Sequence, residues 1–477
     1  MKGKFLQDIS SNSMQVIINQ LCGLYIFYIL SICLGKNDFG EINWSLALLL
    51  TSFTILSFGI DQVSVKRIAS GGNEKTILSN YFSHVLLSGI LLYGLLLLGS
   101  YLFHPFFKQH QLLLLLGIGK LMIFFSTPFK QLATGKEKFR PLMFMCISSN
   151  LVKSLSLLMI SLFFQLNLSL IIGIFIIADT VEFIVSVLIT KQAIKVPVMP
   201  AIQKHEYKSL LKESLPQLGV TIFTSAIARF DWILLGLMGS AVVLAEYSFA
   251  YKVFEMASLP LLVIAPVLIP KFTRYFSAPE IDNGTADKLN TIFVLLRIEM
   301  AIAACSGMTL TLIWTPVIDT FTFGKYGLVN QYTIFILSAC LPFLYFNNIL
   351  WTINFAKGRL KMIFYLFAIS FIINIAGDII LIPLYKAEGA ALAFLLANLV
   401  QSGIFLYHTK LEGLLKNSHP LLLSPAAAIL SGYTAISLFH QPWLILLFAC
   451  LLFFAILLLT RQIRSTDWLK FKRIIGL

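Results

Sequence analysis

The sequence predicts an all-α polytopic membrane protein with 14 transmembrane helices, two pseudo-symmetric six-helix lobes followed by two further helices. Three observations carry that prediction. The 477 residues are 58% hydrophobic and only 12% charged, with mean hydropathy +0.86, against about 45–50% and about 25% for a soluble domain. Apolar runs repeatedly reach the ~20 residues of a membrane helix, too long for barrel strands of about 9–11 residues. Finally, lysine and arginine collect in every second loop, on one side of the membrane.

The spans fall at roughly 14–34, 44–60, 79–103, 111–133, 141–163, 169–190 and 215–238. They continue at 249–270, 291–315, 333–355, 361–383, 387–408, 420–440 and 442–460. With the N-terminus inside, 26 of the 36 Lys and Arg residues lie on the inner side. Only Lys36, Lys108, Lys325 and Lys386 lie outside. One missed or invented helix would scramble this bias downstream, so the positive-inside rule supports the count and places both termini in the cytoplasm. The net charge of +14 then reflects topology and attraction to anionic membrane lipid, with no nucleic-acid partner implied.

The N-terminal stretch MKGKFLQDISSNSMQ lacks the apolar core of a cleavable signal peptide, so the first helix is expected to stay in the mature protein. Six cysteines stand singly in apolar segments without CxxC or Cys/His spacing, which signals neither a disulfide framework nor a metal site. No loop contains GxxxxGK[ST], so a nucleotide cofactor is not expected. The longest inner connection, residues 191–214, is about half the usual minimum for a folded domain. Function is therefore expected inside the bundle.

That basic connection divides the chain. The expected domains are an N-lobe at 1–190, the linker at 191–214, a C-lobe at 215–408, and a final pair of helices with a basic tail at 409–477. LGKNDFGEINWSLA (34–47) and LGLMGSAVVLAEYSFA (235–250) match loosely: Leu-Gly, a short loop, then an acidic and an aromatic residue. Six plus six helices suggests a repeat-built transporter with its site between the halves.

Charges inside the spans are the candidate site residues, because each costs about 2.5–3.5 kcal/mol at mid-membrane on insertion scales. Counting from the hairpin turn near residue 166 puts Lys153 and Asp179 at one depth, with Glu182 on the same helix face as Asp179. A structural ion pair and a cavity cluster are both open there. Arg229 lies within reach of Glu255 across the next hairpin, although Lys252 is a closer, i,i+3 partner for Glu255. Arg229 and Asp231 point about 200° apart and are not expected to pair. Lys120 has no partner in its own helix, and Arg297 lies in the inner part of its span. Asp378, one turn from Asn374, fits either a helix–helix contact or a cavity wall.

Lys120, Lys153, Arg229, Arg297, Asp231 and Asp378 are therefore expected to contact substrate. Asp179, Glu182 and Glu255 are candidates for H+ or Na+ coupling. On balance the interior is basic and suits an anionic, hydrophilic cargo. His84 is expected to be a satisfied interface histidine.

Three stretches then resemble the polysaccharide-exporter branch of the multidrug/oligosaccharidyl-lipid/polysaccharide (MOP) exporter superfamily, the Wzx-type O-antigen and lipid-linked oligosaccharide flippases. LGKNDFGEINWSLALLLTSFTILSFGIDQVSVKRIA (34–69) resembles its signature over the first two helices, with Phe39, Gly40, Gly59, Asp61, Arg67 and Ala69 in place. DWILLGLMGSAVVLAEYSFAYKVFE (231–255), with Tyr247 and Glu255, is similar to its helix 7–8 stretch. LIPLYKAEGAALAFLLANLVQ (381–401) is similar to its entry into helix 12, but lacks a glycine just after Tyr385.

The resemblance implies a MATE/MOP-like fold with alternating access. It also implies a cargo, an undecaprenyl-diphosphate-linked O-antigen or capsule repeat unit carried across the bacterial inner membrane. A polysaccharide polymerase and a chain-length regulator are the further partners it suggests. The alternative in the same superfamily is a cation-coupled multidrug or small-molecule antiporter. A membrane polymerase or ligase would need a large outer loop bearing arginines or histidines, and the outer loops here are short; an enzyme is not expected.

Overall fold

In the computed structural model the described residues are 2–197, 199–261, 268, 272–273, 276, 285–409, 413–414 and 417–464. Helices account for nearly all of them, and no strand occurs among the described residues. Contacts divide the chain into two compact units, Met1–Ala245 and Glu246–Leu477.

The first unit starts with α1 (Lys2–Cys33) and, across Leu34 and Gly35, α2 (Lys36–Leu56). The second span was expected to begin at residue 44. The helix starts eight residues earlier because its first turns are buried: Phe39, Gly40, Glu41 and Ile42 all lie inside the protein. It ends where Phe58 and Gly59 take positive φ values of 55° and 69°. At Gly59 a side chain would be both strained and obstructed, since a Cβ would come within 2.9 Å of Gln217. α3 (Ile60–Ala69) carries the chain on, and α4 (Glu74–Leu102) is capped by the Asn73 side chain, which accepts the Thr76 amide.

After the short α5 (His104–Gln109), α6 (Gln111–Gly135) packs on α2, α3, α4 and α8 (Leu168–Ile189), while α7 (Phe139–Phe163) packs on α1 and α8. The long α9 (Lys204–Met238) lies against α2 and α3. Trp44 explains that contact. Its indole N–H donates to the Ile233 carbonyl (3.2 Å), and its ring fills the place a side chain at Gly236 would need. At the other end of α9, Arg67 donates through Nε to Glu213 (2.8 Å) and through Nη2 to Ser209 (2.8 Å), and Lys66 reaches Glu213 at 3.0 Å. α9 contains the start of what was read as the second lobe, and it packs with the first unit.

α10 (Ala241–Ala257) leads into the second unit; the rest of the span expected at 249–270 lies largely outside the described residues. There follow α11 (Thr285–Thr322), α12 (Gln331–Ala356), α13 (Leu360–His408), α14 (Pro420–Leu438) and α15 (Pro442–Leu459). α11 packs on α12, α14 and α15, and α12 on α13. α13 runs 49 residues but is two helices joined at Lys386, where φ is 51° and ψ −121°. Among the described residues, 11 helices are long and apolar enough to cross a membrane. Dividing α13 at Lys386 and adding α9 and α10 restores the 14 expected spans. Leu91, Leu95 and Leu98 of α4 are more than half exposed, as a lipid-facing stripe requires.

Candidate functional site

Among the described residues the largest concentration of buried charge lies within the first unit, on α6, α7 and α8. Asp179 of α8 is its centre, 1% exposed. Its Oδ2 accepts from Lys120 Nζ at 2.8 Å, and its Oδ1 from Lys153 Nζ and from Ser149 Oγ, the latter at 2.6 Å. One turn on, Glu182 accepts from Lys130 Nζ. The Lys153 ammonium also lies 4.7 Å from the centre of the Phe175 ring, whose negative face favours a cation.

Local sequence sets up this geometry. Asp179 and Glu182 share a face of α8 by their three-residue spacing. Gly119 lets α6 approach: a Cβ there would sit 3.0 Å from the Asp179 Oδ2. Lys120, expected to stand alone, is tied to Asp179 because α6 packs on α8, a neighbour that hairpin counting along the chain does not reach. Lys130, near the inner end of the span at 111–133, is not among the residues the sequence singled out. Three lysines face two carboxylates, which leaves the cluster one positive charge in excess when all five groups are ionised.

Arg229 is a second basic feature. Its guanidinium stacks over the Trp232 ring at 4.4 Å, and its buried Nη1 has no hydrogen-bond partner. Asp231 is buried, and its Oδ1 accepts the Trp232 amide (2.8 Å). As their angular separation requires, Arg229 and Asp231 form no ion pair with each other. His84 is satisfied on both nitrogens, by the Tyr207 hydroxyl at 2.8 Å and the Leu56 carbonyl at 2.9 Å. A pair absent from the sequence reading joins Glu41 to His110 Nδ1 at 2.9 Å, with the Trp44 ring tilted against the imidazole at 4.4 Å between centroids.

In the second unit Glu255 accepts from Lys252 (2.7 Å), the nearer of the two partners weighed for it. Asp378 is fully buried and accepts from Asn374 Nδ2 at 3.0 Å. Arg297 is half-buried on α11. Two residues further on lies Glu299, which sequence reasoning passed over. It is 1% exposed, and neither carboxyl oxygen has a hydrogen-bond partner. An acidic residue in the middle of the apolar run after Leu295 was the available signal. No group of three or more His, Cys, Asp or Glu side chains suited to a metal occurs among the described residues.

The fold defines the class. The chain superposes on "Lipid II flippase MurJ, inward closed conformation" with a TM-score of 0.75 at 17% identity, covering 94% of this chain and 98% of that one. It is also similar to an inward-facing MATE-family multidrug resistance transporter of the MOP superfamily (TM-score 0.63, 14% identity, 87% and 98% covered). A MOP superfamily transporter from Pyrococcus furiosus gives 0.57 at 14% identity, with 87% and 96% covered. The architecture is thus that of MOP transporters, a multi-pass membrane fold. No curated protein matches in sequence. The family described as "Polysaccharide biosynthesis protein" matches residues 5–276, more than half of the chain, and the chain belongs to that family. The fold is one shared with proteins named as a lipid II flippase and a multidrug resistance transporter.

Proposed function

We propose that the protein is a flippase that moves undecaprenyl-diphosphate-linked oligosaccharide repeat units, of O-antigen or capsule type, from the cytoplasmic to the periplasmic face of the bacterial inner membrane. The observation that supports this most is Arg229, a guanidinium over the Trp232 ring whose buried Nη1 is unsatisfied and which has no acidic partner among the described residues. The unsatisfied Nη1 is a donor available to a diphosphate oxygen, and a guanidinium suits such paired oxygens. The lysine surplus around Asp179 adds a positive field in the same unit.

In this reading Arg229 binds the diphosphate. Lys120 and Lys153 contribute field more than contact, because Asp179 already holds both. Arg297, Asp231 and Asp378 are the further polar contacts proposed for the glycan. Asp179, Glu182 and Glu255 each have a lysine partner in this conformation, which makes them weaker candidates for ion coupling than the sequence suggested. The polyprenyl tail stays in lipid, the cargo passes on to a polymerase with its chain-length regulator, and both termini are cytoplasmic.

Display of surface polysaccharide in a flippase-deficient host tests the proposal. Arg229→Ala should abolish display at normal protein level, and Arg229→Lys should retain part of it. Normal display in the alanine variant would remove Arg229 from the site. Drug extrusion by the wild-type chain in a pump-deficient host, without rescue of display, would instead establish an antiporter.

A further inference from the structure

Glu299 stands apart from every other buried acid described above. Asp179 and Glu182 accept from lysines, Glu41 pairs with His110, and Asp231 and Asp378 accept from the Trp232 amide and the Asn374 side chain. Glu299 has no hydrogen bond at either oxygen and is 1% exposed. Its own helix offers no help. The neighbours one turn away, Leu295, Leu296, Ile302 and Ala303, are apolar, and Arg297 lies about 200° round the helix.

Among the described residues, the helices packed against α11 offer none either. α12, α14 and α15 contain no Lys, Arg, Asp or Glu at all. Their titratable side chains are Tyr332, Cys340, Tyr345, Tyr433 and Cys450. Tyr345 alone among them lies within electrostatic reach of Glu299, and its hydroxyl donates to the Ala257 carbonyl at 2.9 Å. Cys450 interacts with Cys305 of α11, Tyr332 and Tyr433 are 70% and 74% exposed, and Cys340 donates to the Ile336 carbonyl.

An ionised carboxylate cannot be hosted in such a place. Among the described residues neither a cation nor a donor offsets its desolvation, and such groups neutralise rather than stay charged. A metal cation would need several oxygen ligands, whereas a proton needs one. We infer that Glu299 is a proton-binding site buried in the second unit, occupied in this conformation and emptied when the unit opens it to water. In the occupied form the side chain is a carboxylic acid. On opening, its O–H bond breaks, the proton passes to water and the carboxylate is left hydrated. Return to the closed form requires the proton back, so the conformational cycle is tied to proton movement. This supplies an energy source for the transport proposed above and rests on that reading for its use, though not for its existence.

The test is carbodiimide modification of the purified full-length protein in proteoliposomes, because dicyclohexylcarbodiimide reacts with protonated carboxyls in apolar surroundings. Peptide mass spectrometry should find the adduct on Glu299, with labelling falling as pH is raised, and no adduct on Asp179, whose two oxygens accept from lysines. Glu299→Gln keeps the size and a hydrogen-bonding group. It should lose that adduct and lose the acceleration of lipid-linked oligosaccharide translocation by an imposed pH gradient. Absence of the Glu299 adduct while other carboxyls label, or a gradient response in Glu299→Gln equal to wild type, would overturn the inference. If the glutamine variant fails to fold, labelling of the wild-type protein decides alone. A wild-type protein that labels at Glu299 yet translocates no glycolipid would sink the flippase reading and leave the proton site standing.

Discussion

Replacing Asp179 by asparagine tests whether the lysine cluster is a dry structural knot. The substitution preserves size and can still accept from Ser149, but it removes the negative charge that Lys120 and Lys153 share. Breaking a buried pair by deleting one partner costs about 3–5 kcal/mol, because the remaining charge is stranded. Here two cations are stranded around a site 1% exposed, so the upper part of that range applies. For a unit the size of the first one, each kcal/mol moves Tm by about 2–4 °C, which puts the expected fall at roughly 8–20 °C. The assay is thermal unfolding of the detergent-solubilised protein, followed by tryptophan emission and by residual monomer on size exclusion.

Lys153→Met alone should cost far less, since Asp179 keeps Lys120. Added to the asparagine variant it should recover part of the loss, because one stranded cation has gone; the departure from additivity measures the coupling. A fall below ~2 °C for Asp179→Asn at unchanged expression would refute the reasoning. It would mean that water reaches these lysines, and that the cluster lines a hydrated cavity.

Two other outcomes follow from backbone and surface geometry. Lys386 holds φ 51° and ψ −121° at the break between the two halves of α13. Lys386→Gly should therefore raise stability by about 1 kcal/mol, read as a small increase in Tm; an unchanged or lower Tm would show that the lysine side chain stabilises the break by more than the strain costs. At the end of α9, the hydrogen bonds from Arg67 and then Lys66 hold the Glu213 carboxyl below its ordinary value of 4.5. A depressed folded-state value means the contact stabilises above that ordinary range and is lost as pH falls through the depressed one. Proteolysis of the 191–214 connection should thus be slow at neutral pH, and faster in strong acid or in Glu213→Gln; identical cleavage rates would show that the contact does not hold α9.

Several parts of the site were legible because they are local. Asp179 and Glu182 share a face by spacing, Lys252 and Glu255 pair at i,i+3, and Arg229 and Asp231 diverge for the same angular reason. Lys153 meets Asp179 because α7 and α8 are consecutive, so counting from their turn gives depth. Lys120 defeated that method because α6 and α8 are not consecutive. Glu299 defeated it differently: what distinguishes this residue is the absence of any partner on three helices, and an absence across space has no signature along the chain.

The order of apolar runs, their length and the side on which lysine and arginine collect were enough to determine a helical membrane protein and its spans. A bilayer admits few backbone solutions, and each span must satisfy its own hydrogen bonds. Which charges are neutralised and which are left over was decided only by tertiary structure, since that depends on which helices lie side by side. Trp44 filling the space above Gly236, α9 packing with the first unit, and the solitary burial of Glu299 all arise from contacts between distant segments. Their energies are set by the distance and dryness of those contacts, and neither quantity is written in residue order.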